Sequence, residues 1–235
     1  MILPLIRYML VSYSRSYRYL PPLLAFVVAI GFVYSNVPNP IMESYAFSST
    51  LLFIVSAWLT FGFMDAEPIA QQRVTVLHAR SLTAYYVAKL LLLSGFGSAL
   101  GLFATLYPAL LRKFDRSPSL LELGAALLAH GVLVLLGIGC AAFFTEKSVP
   151  GRPFALAGLA IVVILSVAGK GLANALPDAV APAAWLLPPA FRVMDALIRS
   201  ETVGGWGIAL SLAVAALYAI LLMALFVRLM SRKQF

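Results

Sequence analysis

The sequence predicts an all-α integral membrane protein: six transmembrane helices preceded by an N-terminal amphipathic interfacial helix. Three observations carry this expectation. The 235 residues are 62% hydrophobic and only 11% charged, whereas soluble domains run nearer half apolar and a quarter charged. The mean hydropathy is +0.96. Apolar runs recur at 20–36, 46–64, 85–110, 120–144, 154–175 and 206–229, and each span needs roughly 20 mostly apolar residues to cross the hydrocarbon. Six spans fill more than half of the chain, and the remaining connectors are too short for a water-soluble domain. Residues 1–235 therefore read as a single membrane domain, with 20–230 as its six-helix part.

Residues 1–19 are too polar to span. At helical period, Ile2, Ile6, Met9, Tyr13, Tyr17 and Leu20 share one face, and Arg7, Ser14, Arg15 and Arg18 share the opposite one. An apolar face backed by arginines suits a helix lying in the membrane interface. Pro21 and Pro22 break it and open the first span. Arginines precede the first apolar run and no small-x-small cleavage site follows it, so this run is expected to be retained as a membrane helix rather than removed as a signal peptide.

The connectors carry turn residues or charge: 37 onward, 65–83, 112–119, 145–153 and 177–205. Orientation follows from the basic residues. With the N-terminus in the cytoplasm, the inner side holds Arg7, Arg15, Arg18, Arg73, Arg80, Lys89, Lys147, Arg152, Arg228, Arg232 and Lys233. The outer side holds Arg112, Lys113, Arg116, Lys170, Arg192 and Arg199. That is eleven against six of the 17 Lys and Arg, and an even number of spans puts both termini inside.

The net charge of +8 and the pI of about 9.8 would point to nucleic acid in a soluble protein. Here the basic residues flank helices, and no nucleic-acid partner is expected. Several chemistries are excluded by what is missing. There is no G-x-x-x-x-G-K-[ST] phosphate loop, no H-E-x-x-H and no G-x-S-x-G. The two histidines, His78 and His130, lie in different segments, so no protein-only metal site and no cofactor is expected. Cys140, the one cysteine, sits in an apolar run as a small hydrophobe.

The most informative stretch joins the second and third spans. Glu67 and Pro68 suit a helix start. Gln71, Gln72, Arg73 and His78 then alternate with Ile69, Val74, Val76 and Leu77, and Ser81 can cap the next helix. Physically this reads either as a short helix under the membrane or as a solvated loop. It resembles the first cytoplasmic loop of type-2 ATP-binding-cassette (ABC) permeases: an acidic residue, an Arg-containing polar helix, a Leu, then Ser-x-x-x-aromatic-x-x-x-Lys entering the third span. Glu67, Gln72, Arg73, Leu77, Ser81, Tyr85 and Lys89 stand in matching places. Arg80 replaces the usual Pro before the Ser, and Gln71-Gln72-Arg73 replaces the commoner Glu-Arg pair.

The resemblance covers nearly the whole chain and implies a membrane-spanning subunit of an ATP-driven exporter in the cell membrane. Such a subunit pairs with a second permease copy and with separate ATPase subunits, and itself performs no covalent chemistry. Its contacts with the ATPase would be Glu67, Gln71, Gln72, Arg73 and Leu77, with Glu146, Lys147 and Arg152 as a second set. The fifth-to-sixth connector, 174–204, is similar to the family's re-entrant outer hairpin, being apolar and rich in proline. Apolar walls would suit an amphipathic peptide, drug or lipid as cargo.

Two ionisable residues inside spans are candidate polar sites, because a charge at the bilayer centre costs about 3 kcal/mol or more. His130 lies mid-span and reads first as a buried, hydrogen-bonded histidine. Lys170 lies near the outer end of the fifth span and can snorkel outward, as Lys89 can at the inner boundary. Gly97 and Gly101 form a G-x-x-x-G in the third span, which suits close helix packing. The alternative functions are an intramembrane enzyme built on His130, Lys170 and Asp178, and a secondary transporter or accessory membrane subunit.

Overall fold

The computed structural model of the protein describes residues 2–175 and 186–232. Those residues form helices α1 (Ile2–Ser16), α2 (Leu20–Val33), α3 (Ile41–Met64), α4 (Ile69–Ala79), α5 (Leu82–Leu110), α6 (Leu120–Ala141), α7 (Arg152–Ala175), α8 (Ala190–Ile198) and α9 (Ser200–Arg232). Five of them, α3, α5, α6, α7 and α9, are long and apolar enough to cross a membrane. The pair α1 and α2 passes the same test together but is bent by 79° between them, which gives five spans or six. At about 1.5 Å per residue, the 14 residues of α2 reach only about 21 Å, shorter than the roughly 30 Å hydrocarbon core.

The bend has a local cause. Tyr17 takes a left-handed φ of 55°, which stops α1, and the prolines at the start of α2 restart the helix without giving up a needed N–H. The packed face of α1 differs from the expected one. Leu5 and Met9 are buried, and Ile6 and Tyr13 are half-buried, while Ile2 and Tyr17 are exposed.

The other boundaries shift by a few residues. The second span begins at Ile41 rather than 46, because Pro40 ends the preceding extended segment and Glu43 sits in the first turn, where a carboxylate favours the helix N-terminus. The sixth begins at Ser200 rather than 206, and its axis breaks at Gly204, whose φ of 67° favours glycine. Ser81 caps α5 by accepting the N–H of Ala84 at 3.2 Å. Ser119 and Glu122 form a reciprocal capping box on α6.

At the centre of the bundle lies α3, in contact with α2, α5, α6, α7 and α8. It is buried almost all round despite Ser44, Ser48, Ser49, Ser56 and Thr60. Ser44, Ser49, Ser56 and Thr60 each donate to a backbone carbonyl three or four residues earlier, and the Ser48 hydroxyl is spent on His130, so none of these five carries an unpaired O–H into the core. Their small size also lets α6 approach closely. A Cβ on Gly137 would sit 2.3 Å from Ser56 Oγ and 2.5 Å from the Phe53 carbonyl oxygen.

The G-x-x-x-G of α5 serves the same purpose. A Cβ on Gly97 would meet Val134 at 2.4 Å, and one on Gly101 would meet the Cβ of His130 at 3.0 Å. The third main contact of α6 is with α9. By contrast, α7 is largely exposed.

The stretch 174–204 falls partly outside the described residues, which omit 176–185. Its described part lies deep against the bundle. The Tyr218 hydroxyl donates to the Leu186 carbonyl oxygen at 2.7 Å, and Tyr218 lies about 21 Å along α9 from Gly204, at 1.5 Å per residue. From there α8 packs on α3, α7 and α9, burying Ala190, Val193, Ala196 and Leu197.

Candidate functional site

The residues expected to couple to a partner gather at one end of the bundle, around α1, α4, the α3–α4 turn and the 142–151 connector. The α4 helix stops at Arg80, which adopts a left-handed φ of 52°. Its outward face carries Ile69, Arg73 and Leu77, one turn apart, with Val74 beside them. All four are exposed, Leu77 to 75%. Beside this face, Pro4, Leu5 and Tyr8 of α1 and Gln71, Val74, Thr75 and His78 of α4 line a groove of about 440 Å³. The Gln71 side-chain amide donates to the Tyr8 hydroxyl across it.

The inward face of α4 is held by a buried polar cluster. Glu67 is buried. Its Oε2 accepts the Tyr85 hydroxyl at 2.5 Å and lies 3.6 Å from Lys89 Nζ. Lys89 is only 1% exposed and donates to the Met64 carbonyl oxygen at 2.8 Å. The ammonium also lies 4.8 Å from the Tyr85 ring centroid and 5.5 Å from that of Phe63, a cation–π arrangement. Gln72 is buried too, and its amide donates to the Glu67 carbonyl oxygen at 2.9 Å. One corner of α4 is thus tied to the end of α3 and the start of α5 by directed bonds.

This arrangement corrects two expectations. Glu67 and Gln72 are anchors inside the protein rather than groups displayed on the surface. Lys89 does not snorkel toward water: it is buried, and Met64 O and Glu67 satisfy its ammonium within the fold.

The second predicted set joins the first through Asp65. Its Oδ2 accepts the backbone N–H of Glu146 at 2.9 Å, and its carbonyl oxygen accepts from the Arg18 guanidinium at 3.2 Å. Burial pushes the Asp65 carboxyl above the usual range, and the Glu146 N–H partly offsets this. Glu146 and Arg152 are exposed and Lys147 is half-buried. The Lys147 ammonium donates to the Tyr86 hydroxyl at 3.5 Å, and the Arg152 guanidinium lies 5.8 Å from the Phe61 ring centroid. Asp65 escaped the sequence reading as a site residue. Nothing in the local pattern signals a contact with a residue 81 positions away.

The two remaining candidates sit on other elements, His130 on α6 and Lys170 on α7. His130 is 0% exposed. Its Nδ1 is 2.7 Å from the Ala126 carbonyl oxygen, which can only accept, so Nδ1 donates. Nε2 then accepts from the Ser48 hydroxyl at 2.9 Å. Thr105 Oγ1 is 3.3 Å from Nδ1, and the Tyr45 ring meets the imidazole edge-on. Both ring nitrogens are satisfied inside the α3–α5–α6 junction. Lys170 pairs with Asp195 of α8 at 2.5 Å, and Arg199 pairs with the other oxygen of the same carboxylate. The lysine thus ties α7 to α8.

Among the described residues, no three or more His, Cys, Asp and Glu side chains converge as a metal site would require. Comparisons with protein-family models, with curated proteins and with solved structures found no significant match.

Proposed function

We propose that this chain is the membrane-spanning subunit of an ATP-driven exporter of the type-2 ABC class, working with a second permease copy and separate ATPase subunits. The observation that carries the reading is the two-faced α4. Outward, Ile69, Arg73 and Leu77 form an exposed stripe with a cation between two apolar side chains. Such a mix suits a protein partner, since apolar contacts contribute affinity and a guanidinium contributes several directed hydrogen bonds. Inward, Gln72 bonds to Glu67, Glu67 engages Lys89 and Tyr85, and Lys89 in turn bonds to Met64. A helix held by buried directed bonds transmits a push to the spans, whereas a loose loop absorbs it.

In this reading α1, lying across the end of the bundle, is the interfacial helix, and both termini are cytoplasmic in the cell membrane. The segment ending at α8 is the ascending limb of a re-entrant outer hairpin. ATP-driven closure of the ATPases moves α4 and the 145–152 segment together, because Asp65 and Glu146 join the two. The cargo is an amphipathic peptide, drug or lipid, moved by alternating access between the two permeases.

The test is Arg73→Ala. The side chain is exposed, so the fold should survive. Recovery of the ATPase with the tagged chain should fall, by roughly 1–3 kcal/mol in affinity if Arg73 is a contact hot spot, and export should fall with it. Unchanged complex recovery, ATPase rate and transport would remove α4 as the coupling element.

A further inference from the structure

A groove of about 160 Å³ lies beneath α1, where Leu10 and Ser14 of α1, Leu59 and Phe63 of α3, and Leu92 and Phe96 of α5 come together. Tyr13 and Tyr19 also line it; the Ser14 hydroxyl donates to Val11 O and that of Tyr13 to Leu59 O, and the rest of the wall is apolar. Two features of α1 say what belongs there. First, α1 turns 79° away from α2, so if α2 runs along the membrane normal, α1 lies near the membrane plane and the groove opens at headgroup depth. Second, α1 and α2 contain no Asp or Glu, and the first acid of the chain is Glu43 at the opposite end of α3. Among the described residues, the guanidinium groups of Arg7 and Arg15 make no ion pair or hydrogen bond. They are two exposed cations on one helix with no counter-charge supplied by the protein.

We propose that this groove is a binding site for one anionic phospholipid, with an acyl chain between α1, α3 and α5 and the phosphate held by Arg7 and Arg15. The spacing fits. The two arginines stand eight positions apart, about 12 Å along the axis at 1.5 Å per residue, so a phosphate between them lies within about 6 Å of each along that axis. That is inside the roughly 8 Å screening length at physiological salt. Arg7, Leu10 and Ser14 follow one another at helical spacing, which places the cation and the groove wall on adjoining sides of α1. A zwitterionic lipid fills the apolar part equally well but leaves the two cations without net counter-charge. The site therefore discriminates by headgroup.

The experiment reconstitutes the full chain in nanodiscs holding equal parts phosphatidylglycerol and phosphatidylcholine, then reads retained lipid by native mass spectrometry after release into mild detergent. One retained phosphatidylglycerol per chain is expected, favoured over phosphatidylcholine by roughly thirtyfold, given that each of the two basic residues near the surface contributes about 1 kcal/mol toward an anionic lipid. The Arg7→Gln/Arg15→Gln variant should lose the preference, with helicity and thermal midpoint unchanged because both side chains are exposed. Ser14→Trp, which fills the groove, should lose retained lipid of both kinds. Inorganic phosphate at millimolar concentration should not displace the lipid, since the acyl chain holds it.

Four results would each overturn the proposal: equal retention of the two lipids, a preference that survives the double arginine variant, displacement by phosphate alone, or undiminished retention in Ser14→Trp.

Discussion

Lys89 Nζ sits 3.6 Å from Glu67 Oε2 with both side chains buried, although the two residues belong to different elements and are separated by α4. The pair closes a loop of chain that contains the whole surface helix. Removing one partner leaves the other as an uncompensated buried charge, which costs about 3–5 kcal/mol, whereas replacing both is far milder. Lys89→Met and Glu67→Gln should therefore each lower the thermal midpoint in detergent clearly, and the double variant should be less destabilised than the two single effects added. Simple additivity would mean that the two side chains are not coupled.

Close approach of α3 and α6 should be intolerant at Gly137. Even a methyl group there meets Ser56 and the Phe53 carbonyl, and backbone does not yield as a flexible side chain does. Gly137→Ala is expected to cost about 1–3 kcal/mol, as overpacking does. On the same helix, Gly124 has open space around it, and Gly124→Ala should be neutral or stabilising by up to about 1 kcal/mol through helix propensity. Thermal unfolding of the two variants in parallel decides it; equal behaviour would contradict the packing described.

The bond between His130 and Ser48 should be structural. His130→Ala removes an imidazole that joins α3, α5 and α6 and leaves the Ser48 hydroxyl short of an acceptor. A loss of about 1–3 kcal/mol is expected from the unsatisfied group and the cavity. His130→Ala combined with Ser48→Ala should cost less than the sum of the two single changes. If His130→Ala is stable but abolishes export, the histidine has a functional role that its two satisfied nitrogens do not suggest.

Topology can be read with single cysteines in a Cys140→Ser background. Cysteine at Gln71 or Lys147 should react with membrane-impermeant reagents only from the cytoplasm, and cysteine at Asn39 only from outside. Asn39 exchanges backbone hydrogen bonds with Lys113 and Asp115, so it marks the opposite end of the bundle. Labelling of Gln71→Cys from outside intact cells would reverse the proposed orientation.

The sequence by itself determined the helical, membrane-like architecture, the order of the apolar helices and the cap at Ser81, while it left 69–79 open between a short helix and a loop. These follow from local pattern: apolar run length, helical periodicity, and a serine before a helix. Gly97 and Gly101 were also legible as a close-packing face, because small residues four apart have one dominant use. Only the tertiary structure decided which polar residues are displayed and which are hidden. Glu67, Gln72 and Lys89 look as suited to solvent as Arg73 does. What separates them is whether a carbonyl such as Met64 O or a hydroxyl such as Tyr85 OH lies within reach, and that depends on how α3, α4 and α5 meet. The roles of Asp65, which reaches Glu146, and of Lys170, which reaches Asp195, were hidden for the same reason. A charge in an apolar protein is placed by its partner, and the partner lies too far along the chain for any local spacing to reveal it.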